Sequence, residues 1–363
     1  MWPTTAAFQA ALDSPSRTWS TKIEVLFADE VVTTLNVMIS GYINLDNVAV
    51  RREAHFTIVD ADGILTPADA RDLLTPKGTE VRIYRGLWTG TEYEYVPMGV
   101  FGVVEPEVRS HSEGTVVEIK GFDRVDKLRS LDFKDPWIID ADTLVHDAIT
   151  DIISSRFDVP LRVTESPYTT PDMQFDRLTS PWDAIRELMT AGMYSVYFDQ
   201  LGTAVVEPNA GVATGKVYRT GAGSTLMNTS RKFLPLDKTY SGVIVRGMHP
   251  NYDPIRSELW DVDPNSPTYS LGPFGERPYG LYSAAITTQA QADAVAADLL
   301  PRVSLIRQEC EIFTRDTPAH DVGDIITVID PRSRTNGDYQ IISATIPLVN
   351  EQGSHTRLRC MEA

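Results

Sequence analysis

Alternation of apolar and polar positions dominates this chain and predicts strands along most of its length. "AHFTIVDADG" from Ala54 sets Ala54, Phe56 and Ile58 on one face. "KIEVLFAD" at Lys22, "VVTTLNVMISGYINLD" at Val31, "TYSGVIVRG" at Thr239 and "RQECEIF" at Arg307 read the same way. A helical period replaces the alternation in only a few places. Leu144, Val145, Ala148, Ile149, Ile152 and Ile153 form one stripe, with Asp142 or Asp140 as the N-cap. "SPWDAIRELMTAG" predicts a helix capped by Ser180, opened by Pro181 and stopped at Gly192. An Ala-rich helix spans 287–303, capped by Thr287 or Thr288 and ended or kinked at Pro301. "TPADARDLL" predicts a short helix with Thr66 as cap and Pro67 in its first turn. "YSVYFD" and "TAVVEP" flank "QLG" as a hairpin. Residues 249–280 are rich in Pro, Gly and Tyr and read as irregular loop.

One strand pattern occurs twice. "KGTEVRIYRGLWTGTEYEYVPMGVFGVVEPEV" starts at Lys77, and "VGDIITVIDPRSRTNGDYQIISATIPL" starts at Val322. Gly78-Thr79 matches Gly323-Asp324, and an apolar run follows each. Gly99, Phe101 and the Val103-Val104 step match Gly337, Tyr339 and the Ile341-Ile342 step. Both copies end on alternating runs, "TVVEI" at Thr115 and "TRLRC" at Thr356, and "RREAHFTI" and "IRQECEIF" precede them. Each module therefore has about four strands, duplicated at long spacing rather than stacked as a solenoid. The glycines at 78, 99, 323 and 337 are expected to serve backbone conformations that a side chain would strain.

With 363 residues and 42% hydrophobic content, the chain suits two or three domains. No apolar run is long enough to span a bilayer, and the N-terminus lacks the basic and apolar regions of a signal peptide. A formal net charge of −17 argues against nucleic-acid binding, which needs clustered Lys and Arg. Cys310 and Cys360 form no CxxC pair or disulfide framework and are expected to stay thiols in a reducing compartment. The six histidines (His55, His111, His146, His249, His320, His355) show no metal-ligand spacing. "DADG" at Asp60 resembles half of a calcium loop, but Arg71 stands where the bidentate Glu belongs, so a tight turn at Gly63 is preferred. No nucleophile, phosphate-loop or dinucleotide motif is present. These observations predict no catalysis, no cofactor and no metal. A carboxylate pair remains open because acidic residues are abundant.

The order of these pieces resembles the tail hub proteins of long-tailed bacteriophages, minor tail proteins related to the baseplate hub of contractile phages. The β module ending "KGFDRVDKLRSL", the α/β region, the helix "AQADAVAADLL" and the closing "VGDIITVID…GDYQIISATIPL…TRLRC" carry the resemblance. It implies an α+β, predominantly β fold with two tail-tube-like β-barrels flanking a smaller α/β domain. The corresponding boundaries are an N-terminal arm (1–21), a first barrel (22–134), an inserted α/β domain (135–235) and a second barrel (236–363). It further implies a structural virion protein at the tail tip, made in the host cytoplasm. Such hubs are homotrimers that adapt a sixfold tail tube to a threefold tip around a genome channel. The implied neighbours are the distal tail protein ring, the tape-measure protein and fibre or receptor-binding proteins, with neither a membrane span nor sequence-specific nucleic-acid binding. Two other readings stay open: a tail-associated cell-wall hydrolase and a carbohydrate-binding adsorption protein.

Overall fold

The computed structural model describes the chain except residues 37, 70–71, 77, 113, 209–211, 221–225, 227–230, 235–238, 250–252, 305–306, 316, 350–354 and the side chain of residue 111. Strands hold 46% of the chain and helices 16%, as the alternation predicts. The chain opens with α1 (Ala6–Asp13), followed by β1 (Trp19–Phe27), β2 (Glu30–Leu35) and β3 (Met38–Asp46). Next come β4 (Arg52–Val59), β5 (Glu80–Trp88), β6 (Tyr93–His111) and β7 (Gly114–Phe122). The sequence reading does not anticipate α1, whose two turns are too short to show a period. Thr5 caps it by accepting from Phe8 N at 3.1 Å, and Phe8 and Leu12 sink into the core one turn apart.

The short helix expected at 66–74 is absent from its described residues, and residues 70 and 71 lie outside them. Thr66 Oγ1 donates to Asp60 instead of capping a helix, and Asp60 also accepts from Leu65 N. Asp72 gathers the Ala68 and Asp69 N–H groups, while Leu74 takes φ +64°. These local bonds compete with a helix for the same donors. Gly63 at φ +72° gives the tight turn expected at "DADG". Arg71, the residue weighed against a calcium loop, lies outside the described residues.

A small α/β unit follows: α2 (Arg124–Ser130), β8 (Trp137–Ile139), α3 (Val145–Ser154), β9 (Leu161–Val163) and β10 (Met173–Phe175), then α4 (Pro181–Gly192), β11 (Tyr194–Phe198) and β12 (Ala204–Pro208). Helices α2, α3 and α4 pack over the β11-β12-β9 sheet around one apolar cluster. Ser180 caps α4 as expected, accepting from Asp183 N at 3.0 Å, and Met193 at φ +55° ends it one residue after Gly192. Neither Asp140 nor Asp142 caps α3. Leu144 holds the N-cap position without a side-chain bond, and Asp142 sits in a turn at φ +64°.

The remainder comprises β13 (Val212–Arg219), β14 (Arg231–Phe233), β15 (Gly242–Gly247), β16 (Ile255–Trp260), β17 (Pro278–Ser283) and α5 (Gln289–Val303), then β18 (Glu309–Thr314), β19 (Asp324–Asp330), β20 (Thr335–Pro347) and β21 (Thr356–Glu362). The stretch 249–280 is not wholly irregular. It contributes β16 and the start of β17, which flank β15 and pack beneath α5. Ile255, Ser257 and Leu259 supply the alternation that the surrounding Pro and Gly obscure. Thr288 caps α5, accepting from Gln291 N, and Pro301 lies inside its last turn rather than ending it.

The two copies of the module have the same topology. The first runs β4-β7-β6-β5 and the second β18-β21-β20-β19, each antiparallel throughout. The register shifts at Val104 in β6 and at Ile342 in β20, the second residue of the apolar step in each copy. A shared bulge is a stronger equivalence than shared strand order, because it fixes which side chain faces which layer. It also corrects the alignment of the last strands. Val103 faces Gly121 and Ile341 faces Cys360, so Cys360 corresponds to Gly121 rather than Ile119. The first copy has the longer connection, "LWTGTEYEYVP" after Gly86 against "PRSRTN" after Asp330, and most of it is ladder, since β5 and β6 stay paired out to Trp88 and Tyr93. No closed barrel is found among the described residues. β20 pairs with β3, and this ladder splices both copies into one 13-stranded sheet over a shared core.

Candidate functional site

Glycines and aromatics at matching module positions occupy matching places, but the glycines do unequal work. Phe101 lies opposite Val81 and Tyr339 opposite Ile326, both aromatic side chains in the shared core. Gly99 has φ +151°, and a Cβ there would lie 2.5 Å from Phe101 Cζ. Gly323 has φ +93°. Gly78 and Gly337 have no positive φ and no crowding, so the four are not one backbone requirement.

Asp324, beside Gly323, organises the turn into β19. Its Oδ2 accepts from Asp321 N at 2.9 Å and lies 3.4 Å from His320 Nδ1, and its Oδ1 accepts from the Met1 amino group. Burial opposes its ionisation, but His320, the amino group and the Asp321 N–H together hold its carboxyl below the usual range. Burial also lowers the His320 pKa, so the imidazole is neutral, with Tyr218 Oη 2.6 Å from its Nε2.

A buried polar junction joins the two copies to the α/β unit. Arg52, at the start of β4, donates to Asp321 and, at 3.2 Å, to Met98 O. Gln200, in the β11–β12 turn, donates to the same Asp321 oxygen at 2.8 Å. Arg51 donates to Val322 O and stacks 3.9 Å over the Tyr197 ring. Asp123 caps α2 through Val125 N and accepts from Arg51 N and Arg52 N at 2.8–2.9 Å. Burial raises the Asp123 carboxyl to about 6 despite these three N–H groups. Arg124 closes the junction with Glu80, Asp29 and Gly202 O. Sequence reading missed this cluster, whose signal would have been two arginines at a strand start.

This arrangement fixes units against each other and places no nucleophile beside a base. The imidazoles have separate local partners: His55 with Glu53 and Tyr42, His146 with Ser166 N, His249 with Asp172 O and His355 with Phe313. Among the described residues, no three His, Cys, Asp or Glu side chains form a metal-binding group. Cys310 and Cys360 are distant in sequence but face each other across β18 and β21 as buried free thiols. A cleft of about 890 Å³ between the first copy and α2 contains Asp29, Glu80, Arg124 and Lys127, several already engaged in the ion pairs above. No helix among the described residues is long and apolar enough to cross a membrane.

No family model and no curated protein matches this chain by sequence. Solved structures match it by shape. A 43 kDa tail protein of prophage MuSo2 from Shewanella oneidensis has a TM-score of 0.62 at 13% identity, covering 94% of this chain and 98% of that one. A tail protein from Neisseria meningitidis gives 0.65 at 14%, covering 94% and 97%. A prophage tail protein from Listeria monocytogenes gives 0.59 at 10%, covering 95% and 94%. The fold is therefore that of phage tail proteins, along nearly the whole chain.

Proposed function

We propose that this chain is a structural protein of a phage tail, acting as a trimeric hub at its distal end. The observation that carries the proposal is the duplicated β4-β7-β6-β5 and β18-β21-β20-β19 unit with a bulge at the same place in each copy. Two tube-like units per chain let three chains present six equivalent positions to a sixfold tube and three to the tip, around a channel for the genome. The fold shared with tail proteins along nearly the whole chain supports the same reading. The distal tail ring, the tape-measure protein and tip fibres are the neighbours of such a hub. The net charge of −17 suits a wall that DNA passes without adhering. Native mass spectrometry over a concentration series, with electron microscopy of assembled tails, tests this. A trimer at the tail tip is expected. A chain absent from tails, or one that hydrolyses purified cell wall, would overturn the proposal.

A further inference from the structure

Equivalent positions of the two copies differ in exposure along one edge. In the second copy, β20 pairs with β3 from Ser343–Asp46 to Pro347–Tyr42. Ile346 faces Ile43 there, and both are fully buried. The shared bulge makes Val108 the counterpart of Ile346 and Pro106 the counterpart of Ala344. In the first copy, β6 beyond Gly102 pairs only with β7 among the described residues. Its other edge has no partner among the described residues, and Val108 is 40% exposed.

The missing partner has a counterpart as well. β3 lies antiparallel to β4 with Ile43 opposite Ala54, and β14 lies antiparallel to β18 with Lys232 opposite Cys310. Ala54 and Cys310 are equivalent, because they face Gly121 and Cys360. β14 therefore stands where β3 stands, with Leu234 in the place of Leu45. Leu45 is 1% exposed and Leu234 is 60% exposed. Among the described residues β14 pairs only with β18, so each of the two edges matches one half of an interface that is already buried within the chain.

We infer that these two edges close the ring between copies of this chain. Residues 106–109 of β6 in one copy pair antiparallel with residues 231–234 of the next, with Val108 facing Lys232 and Pro106 facing Leu234. This inference rests on the trimer reading above and names its interface. The contact is head-to-tail, so it repeats around a closed ring instead of pairing a surface with itself. It satisfies the unpaired N–H and C=O groups of an edge strand and covers Val108 and Leu234. The Lys232 stem lies along Val108 with its ammonium at the rim. On the opposite face, Arg109 comes directly opposite Arg231; Glu107, bonded to Arg109 and diagonal to Arg231, and Glu311, 3.7 Å from Arg231, offset this like-charge pair.

The test is disulfide trapping in the full chain. In a Cys310→Ala/Cys360→Ala background, needed because Cys310 faces Lys232 within the chain, Val108→Cys/Lys232→Cys should cross-link under mild oxidation into linear and circular species up to a trimer, because directly opposed strand residues lie within disulfide reach. An equimolar mixture of the two single variants should give only mixed dimers, and wild type should give none. A Val108→Lys variant, with its ammonium against Lys232, should raise the concentration at which trimers half-form by about tenfold or more. Val108→Glu should raise it less. Trimers that form without this cross-link, or Val108→Cys alone forming dimers, would overturn the strand pairing and leave the hub standing. A chain that stays monomeric and uncross-linked throughout would overturn both.

Discussion

The second β20 and the first β6 are one strand used in two ways. β20 is spent within the chain: its bulge turns it toward β3, and Ile346 disappears into the core the copies share. β6 makes the same turn at Val104 and meets no strand on that edge among the described residues, and Val108 is 40% exposed. Local sequence sets the strand and the bulge in both, and only the neighbour differs. Arg52 marks the same asymmetry. Its counterpart in the second copy is Gln308, and only Arg52 forms the buried pair with Asp321. Duplication supplied two equivalent units, and the residues that make them unequal are those that tie one to the other.

The largest effect should come from cutting that tie. Asp321→Ala leaves Arg52 buried without its carboxylate, and breaking a buried pair from one side costs about 3–5 kcal/mol. Gln200 loses its acceptor in the same change. Urea unfolding should show the loss. A double variant, Arg52→Gln/Asp321→Ala, copies the second module's residue and should recover part of it. A cost below about 1 kcal/mol would show that the copies are held by the β20–β3 ladder alone.

Asp123 gives the next effect, and its sign is specific. Its carboxyl titrates at about 6 in the fold against 3.8 as its ordinary value. The native state therefore holds a proton that the unfolded chain has released between these values. Stability from this group is fully present below about pH 4 and is lost as pH rises to about 6, by up to about 3 kcal/mol. Asp123→Asn removes the titration but turns one of the two accepting oxygens into an amide N–H, facing either Val125 N or the Arg51 and Arg52 N–H groups. The difference in unfolding free energy between wild type and variant should narrow as pH rises through that window. A difference that widens with rising pH would mean that the three N–H groups outweigh burial and hold the carboxyl low.

The glycines sharpen the comparison at single positions. Gly99→Ala must hold φ +151° against the Phe101 ring, and Gly323→Ala must hold φ +93°. Each should cost about 1–3 kcal/mol. Gly78→Ala and Gly337→Ala should stay within about 0.5 kcal/mol of wild type. Equal costs at all four would restore a single backbone role for the set.

Much of this fold was legible because its signals are local. The Ser180-capped helix, the Tyr194–Pro208 hairpin and the Thr288-capped helix each lie within a short window, and the module repeat shows because each copy carries its own local pattern. The misses have two physical causes. At 66–74, side-chain oxygens of Asp60 and Asp72 took the donors a helix needs, so a correct propensity lost to turn chemistry. The Arg52–Asp321 pair joins residues 269 positions apart and the β20–β3 ladder residues 297 to 305 apart (343 − 46 and 347 − 42), and no period reports such contacts. The candidate site was the least legible part, because its residues matter through what they join rather than through a motif.

The smallest expected effect concerns the thiols, where the copies differ in the core itself. Ala54 faces Gly121 in the first copy, and Cys310 faces Cys360 in the second. Gly121 has no room for a side chain, since a Cβ there would lie 2.9 Å from Phe101 Cβ. The second copy has Tyr339 at the Phe101 position and fits two sulfurs beside it. Opposed strand positions lie within disulfide reach, so geometry alone permits oxidation. Reactivity does not favour it. Burial, then the neighbouring Cys310 thiol, push the Cys360 pKa well above its ordinary value, and the thiolate is the form that reacts. Both cysteines should therefore resist an alkylating reagent in native buffer and titrate as two thiols once the chain is unfolded without reductant. An intact mass two hydrogens lighter, or rapid native labelling, would show that this strand pair opens. Cys310→Ala, which installs the first copy's residue, should cost only about 1 kcal/mol, because it removes one small buried group from a layer that the first copy packs without it.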